Sequence, residues 1–85
     1  MILEFLIYNG DTLSNAWNPA IVGDYVTDLA TGRRYAADLV SHLKDTQDIP
    51  LFTRVMAAAG ELANASHDGV SVGFLSQIGQ YLLDA

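Results

Sequence analysis

The segment Pro50–Asn64, PLFTRVMAAAGELAN, indicates the fold class of this chain. Its apolar residues recur every three or four positions, which is the period of a helix with one buried face. Pro50 suits the first turn of that helix, where the amide that proline lacks has no partner. Ile49 is expected to lie outside, since a residue before proline avoids the helical conformation. The apolar stripe consists of Leu51, Phe52, Val55, Met56, Ala59, Leu62 and Ala63.

Two further helices are predicted on the N-terminal side of this segment. Asn18-Pro19 has the residues of a helix start. Gly32 suits the left-handed conformation that ends many helices, so the first helix is expected to stop near Thr31-Gly32. Arg33–Asp45 has the same period and predicts a second helix. The two apolar faces are Ile21, Val22, Tyr25, Val26 and Leu29, and then Tyr35, Ala36, Leu39, Val40 and Leu43.

The two ends of the chain complete the fold prediction. Ser71 is expected to cap a final helix that carries Phe74, Ile78 and Tyr81. Residues Ile2–Tyr8 fit either a buried strand or a helical stripe, and the turn signal at 9–11 allows a hairpin into residues 12–17. The prediction is an all-α, compact bundle of about four short helices in a single domain over residues 1–85. An N-terminal strand or hairpin remains an alternative within it, and the short loops favour antiparallel neighbours.

Composition and charge exclude several classes of protein. The 85 residues are 51% hydrophobic and 16% charged, which is unlike a disordered chain. A net charge of −6 argues against direct binding to nucleic acid or to an anionic membrane. The sequence contains no cysteine, so a disulfide scaffold and a thiolate metal site are excluded. The apolar N-terminus lacks the basic residues of a signal peptide, and no apolar run is long enough to span a membrane. We therefore expect a cytoplasmic protein.

Titratable residues do not form a convincing catalytic or metal site in the sequence. Asp38, His42 and Asp45 have helical spacing, so both carboxylates could reach the imidazole of His42. They are predicted on the solvent side of their helix, however, where such residues form an ordinary polar face. Arg33-Arg34, the single basic pair, is expected to form salt bridges with Asp28 or Asp38. We predict no catalytic residue, no metal ligand and no cofactor.

The final helix contains the residues that we expect to take part in protein–protein contact. Gly73 and Gly79 belong to a face of small residues, and glycine within a helix usually indicates that another helix passes close by. Residues 57–60, AAAG, offer a matching flat surface in the same chain. Phe74 and Tyr81 are predicted interface anchors, because aromatic residues often anchor interfaces. The full set of aromatic residues that exceed the needs of a small core is Trp17, Tyr25, Tyr35, Phe52, Phe74 and Tyr81.

These observations favour an interaction protein over an enzyme. The predicted function is a small, acidic, cytoplasmic interaction module, an adaptor or regulator without catalytic activity that forms a homodimer or binds a protein partner. The alternative is an inhibitor of the kind that mobile elements encode, blocking a basic nucleic-acid-binding enzyme with its acidic surface. The ten acidic residues are scattered from Glu4 to Asp84, which is less dense than nucleic-acid mimicry usually requires.

Overall fold

The computed structural model describes residues 3–10 and 12–84, and these form a short hairpin followed by three helices. No helix in these two ranges has the length and apolar character needed to cross a membrane. The mostly helical class is confirmed, but the number of helices is three rather than four. The elements are β1 (Ile7–Asn9), β2 (Thr12–Asn15), α1 (Tyr25–Thr46), α2 (Ile49–Ser66) and α3 (Gly69–Asp84).

The N-terminal segment forms the hairpin that the turn signal allowed. Strands β1 and β2 are antiparallel, with Tyr8 opposite Leu13. Gly10 has a φ of 66°, which lies in the left-handed region that glycine adopts easily in a tight turn. The Ser14 hydroxyl donates to the Ile7 carbonyl oxygen at 3.1 Å across the two strands. The strand interpretation of this segment is thus correct from Ile7 onward; Ile2 and Asp11 lie outside the described residues.

The first two predicted helices are a single helix that starts later than Asn18-Pro19 indicated. The Asn18 amide donates to the Phe5 carbonyl oxygen at 2.7 Å, which holds this segment against the N-terminus instead of starting a helix. Residues 19–24 are not helical, and Gly23 has a φ of 94°. Helix α1 then continues through Gly32, which is buried. The prediction that Gly32 ends a helix is therefore wrong.

Close packing against α3 explains why a glycine occupies position 32. A Cβ placed there would lie 2.6 Å from the Phe74 amide nitrogen and still closer to the Val70 carbonyl oxygen. Gly69 in turn meets Tyr25, Asp28 and Leu29 of α1. Position numbers rise together along the two helices, so α1 and α3 run in the same direction. The most extensive helix pair is therefore parallel. Helix α2 separates these two helices in the sequence, so their direction does not test the antiparallel arrangement predicted for helices joined by short loops.

Helices α2 and α3 are each preceded by an aspartate that caps the first turn. Asp48 accepts a hydrogen bond from the Leu51 amide at 3.1 Å, and α2 begins at Ile49, one residue earlier than predicted. Asp68 accepts from the Ser71 amide at 2.9 Å, so the cap of α3 is Asp68 and not Ser71. The links between helices are only two residues long, and Gln47 and His67 adopt left-handed conformations there.

Four aromatic side chains, Phe5, Trp17, Tyr35 and Phe74, form what we call the aromatic core. All four are buried, and the rings of Trp17 and Phe74 have centroids 4.6 Å apart. Phe5 lies 5.0 Å from Tyr35 and 5.3 Å from Trp17. The Trp17 indole nitrogen donates to the buried Ser71 hydroxyl at 2.9 Å. The aromatic core thus joins the N-terminal segment to α1 and α3. Trp17, Tyr35 and Phe74, which are predicted to exceed the needs of a small core, are part of it.

Candidate interaction surface

The four interaction residues predicted on α3 do not form one exposed surface. Phe74 is fully buried in the aromatic core. Gly73 faces α1, where an added Cβ would lie 2.9 Å from the Leu29 Cα. Gly79 has open space around it, and Tyr81 is half-buried against the core. The close approach inferred from the glycines is therefore present at Gly73, but its partner is α1.

Residues 57–60 are the predicted partner of the glycine face, but the structure places no close neighbour at Gly60. A Cβ added at Gly60 would meet nothing within 4 Å. Only Ala59 of the four residues is buried. The prediction that this segment receives the small face of α3 is wrong, because the backbone of α1 occupies that position.

The residues around His42 are not arranged as a catalytic or metal-binding group in the part of the chain that the structure describes. His42 and Asp38 are half-buried on α1, whereas Asp45 is exposed. Across residues 3–10 and 12–84, no hydrogen bond joins the imidazole to either carboxylate, and no three potential ligands are placed to share a metal ion.

The salt bridge of the basic pair is formed with a different residue from those expected. The Arg34 guanidinium lies 2.9 Å from the Glu4 carboxylate, and both side chains are more than half exposed. The guanidinium carbon also lies 5.5 Å from the centre of the Tyr35 ring. Asp28 is unavailable to arginine because it is buried. An exposed pair of this kind contributes at most about 1 kcal/mol.

The carboxylate of Asp28 holds the segment that leads into α1. Asp28 is only 2% exposed, and its two oxygens accept from the Val22 amide at 3.0 Å and the Gly23 amide at 3.1 Å. Gly69 at the start of α3 packs against its Cβ. Hydrogen bonds to a buried charged group are stronger than those between neutral groups. The backbone at Val22 and Gly23 is therefore anchored to α1.

This held segment displays a group of exposed apolar side chains, which we call the apolar patch and define as Ile21, Val22, Tyr25 and Val26. Val26 is 76% exposed and Val22 is 68% exposed, and the other two are about half exposed. Other exposed large apolar residues occur in smaller groups, such as Leu82 and Leu83 at the end of α3. The apolar patch is thus the densest such group in the described sequence.

The helical period of the sequence predicts that the residues of the apolar patch lie on the buried face of a helix starting at Pro19. The sequence pattern therefore does not identify them as an exposed patch. A signal against that assignment was present in the sequence. Gly23-Asp24 interrupts the pattern, and aspartate before an apolar residue is itself a helix-start signal. A start at Asp24 leaves Ile21 and Val22 outside the helix.

Comparisons with known proteins do not identify a relative. No family model matches this sequence, and neither curated proteins nor solved structures include a significant match.

Proposed function

We propose that this chain is a non-catalytic protein-interaction module that self-associates through the apolar patch. The observation that carries the proposal is the cluster of four exposed apolar side chains within six residues. Small proteins seldom leave a large contiguous group of apolar side chains in water unless a contact covers it. The Asp28 hydrogen bonds hold the patch in place before contact, which lowers the entropy lost on binding.

A second copy of this chain is the partner that suits the patch. In a two-fold dimer each subunit presents the same surface, so that surface must be complementary to itself. An apolar surface meets this condition. Within residues 21–26 the single charge is that of Asp24, whose carboxylate accepts a hydrogen bond from the Thr27 hydroxyl at 2.5 Å. The patch would form the centre of the interface, and polar neighbours would form its rim.

The acidic-inhibitor alternative has less support. Three of the ten acidic residues accept hydrogen bonds from backbone amides of this chain at or just before helix starts, namely Asp28, Asp48 and Asp68. Asp28 is also buried, so it cannot contact an enzyme. A cytoplasmic location is part of the proposal, and its support is a cysteine-free sequence that needs no oxidising compartment.

Light scattering coupled to gel filtration tests the proposal with a matched pair of variants. Val26→Asp places a charge in the patch within the first turn of α1, where a carboxylate favours the helix. Leu83→Asp makes the same change at a residue of similar exposure near the end of α3. We expect the wild type and Leu83→Asp to be dimers at micromolar concentration and Val26→Asp to be a monomer. A 9 kDa wild-type species at every concentration, or the same mass for both variants, would contradict the proposal.

A further inference from the structure

The apolar patch lies at one end of a longer exposed face of α1. Val26 shares this face with Ala30, Arg33 and Ala37, which follow at intervals of four, three and four residues. All four side chains are exposed, because α1 packs against α3 through its opposite side. We call these four residues the outer face of α1. Since the 22 residues of this helix extend about 33 Å, the outer face is a rigid surface that continues beyond the patch.

The apolar patch alone is too small for a stable interface. A typical interface between two proteins uses about 20–30 residues of each partner, whereas the patch consists of four. The contact between two copies must therefore include neighbouring residues, and the outer face of α1 is continuous with the patch. Ala30 and Ala37 have small side chains, so a second helix can approach the outer face closely.

Two charged residues beside this surface determine the direction in which a second α1 lies. Asp24 accepts a hydrogen bond from the Thr27 hydroxyl with one carboxylate oxygen, and its other carboxylate oxygen accepts none within residues 3–10 and 12–84. Arg33 forms no salt bridge within the same two ranges, unlike Arg34, which pairs with Glu4. A parallel pair of helices would place Arg33 against its own copy, where like charges repel. An antiparallel pair places it near Asp24 of the other copy.

We propose that two copies pair through antiparallel α1 helices, with Val26 of each copy packed against Ala30 of the other. The Asp24 carboxylate of each copy then lies beside the Arg33 guanidinium of the other. This arrangement rests on the self-association proposed above and specifies its geometry. The two Arg33 side chains are separated by roughly 15 Å along the helices, which exceeds the screening length of about 8 Å at physiological salt. Apolar burial supplies the affinity, and the two charge pairs select the orientation.

Charge reversal followed by sedimentation velocity tests the contact between Asp24 and Arg33. Asp24→Arg and Arg33→Asp each place like charges at both contacts of the dimer, so each is expected to raise the dissociation constant by about tenfold. An equimolar mixture of the two variants restores opposite charges at both contacts and is expected to form a heterodimer with nearly the wild-type affinity. Asp45→Arg makes the same charge change near the far end of α1 and is expected to bind at least as tightly as the wild type. Asp24→Arg also lowers the net negative charge of each copy, so repulsion between net charges alone would predict tighter binding.

Single cysteines test the orientation of the helices, since the chain contains no cysteine of its own. A mixture of Val26→Cys and Ala30→Cys is expected to form a disulfide between the two variants under mild oxidation. Ala37→Cys is expected to form none, because antiparallel helices hold its two copies roughly 27 Å apart, whereas a disulfide requires Cα atoms within about 7 Å.

The outcomes separate this arrangement from self-association itself. Equal dissociation constants for Asp24→Arg and Asp45→Arg, or a disulfide-linked dimer of Ala37→Cys, overturn the antiparallel arrangement and leave self-association through the patch in place. A wild type that is monomeric at every concentration overturns both.

Discussion

At the scale of single residues, two helical glycines lie where backbone contacts leave no room for a side chain. Gly32 and Gly73 let the backbones of α1 and α3 approach each other directly. Gly60 lies inside α2 with open space around it. Glycine within a helix costs about 1 kcal/mol relative to alanine, and only at the first two positions does a close contact offset that cost.

Substitution by alanine should therefore have opposite effects at two helical glycines. Gly32→Ala is expected to lower the free energy of unfolding by about 3 kcal/mol or more, because its Cβ meets backbone atoms of Val70 and Phe74 that cannot rotate away. Gly60→Ala is expected to raise it by up to about 1 kcal/mol. Urea unfolding followed by circular dichroism measures both. A neutral Gly32→Ala variant would show that α1 and α3 are not in backbone contact.

At the scale of elements, aspartates determine where two helices begin. The side chains of Asp48 and Asp68 satisfy amides that have no partner within α2 and α3. Asp68 lies in a link of only two residues, so its cap also determines where the chain turns from α2 into α3. Ser71 also has a side chain that could cap a helix, but its hydroxyl instead accepts a hydrogen bond from the indole nitrogen of Trp17.

Removal of the Asp68 cap should destabilise the protein moderately. Asp68→Ala is expected to lower the free energy of unfolding by about 1 kcal/mol, the usual loss for a helix cap. Asp84→Ala removes an exposed carboxylate from the opposite end of α3 and is expected to change it by less than about 0.5 kcal/mol. Thermal and urea unfolding of the two variants provide the comparison. Equal losses at both ends would mean that the Asp68 bond does not stabilise α3.

At the scale of the whole molecule, apolar attraction and net charge oppose each other in self-association. The apolar patch favours contact between two copies, whereas a charge of −6 on each copy disfavours it. Salt screens repulsion between exposed charges but leaves apolar burial intact. The salt dependence of the dimer therefore identifies the force that holds it.

We expect the dimer to tighten, or to stay unchanged, as the sodium chloride concentration rises from about 0.02 M to about 0.3 M, where the screening length falls below about 10 Å. Sedimentation velocity at several protein concentrations gives the dissociation constant at each salt concentration. A dimer that weakens as salt is added would instead be held by charge pairs, and the apolar patch would not be its centre.

Local patterns were sufficient for those parts of the fold that depend on neighbouring residues. The stripe from Leu51 to Ala63 lies in α2 as predicted, since a long apolar period together with a proline near the start is compatible with few other structures. The turn signal at residues 9–11 likewise led to the hairpin, because glycine at position 10 permits the left-handed backbone. The helical class and α2 could therefore be predicted from the sequence by itself, whereas the hairpin was one of two alternatives that the sequence left open.

Only tertiary structure decided the features that depend on residues far apart in the chain. Gly32 resembles a helix end until α3 is placed against it, and Phe74 resembles an interface anchor until Phe5 and Trp17 surround it. The same holds for the apolar patch, whose four side chains stay exposed because no other described element packs over them. The physical reason is that the sequence shows which residues are apolar and how they are spaced, whereas their burial depends on which distant segment of the chain packs against them.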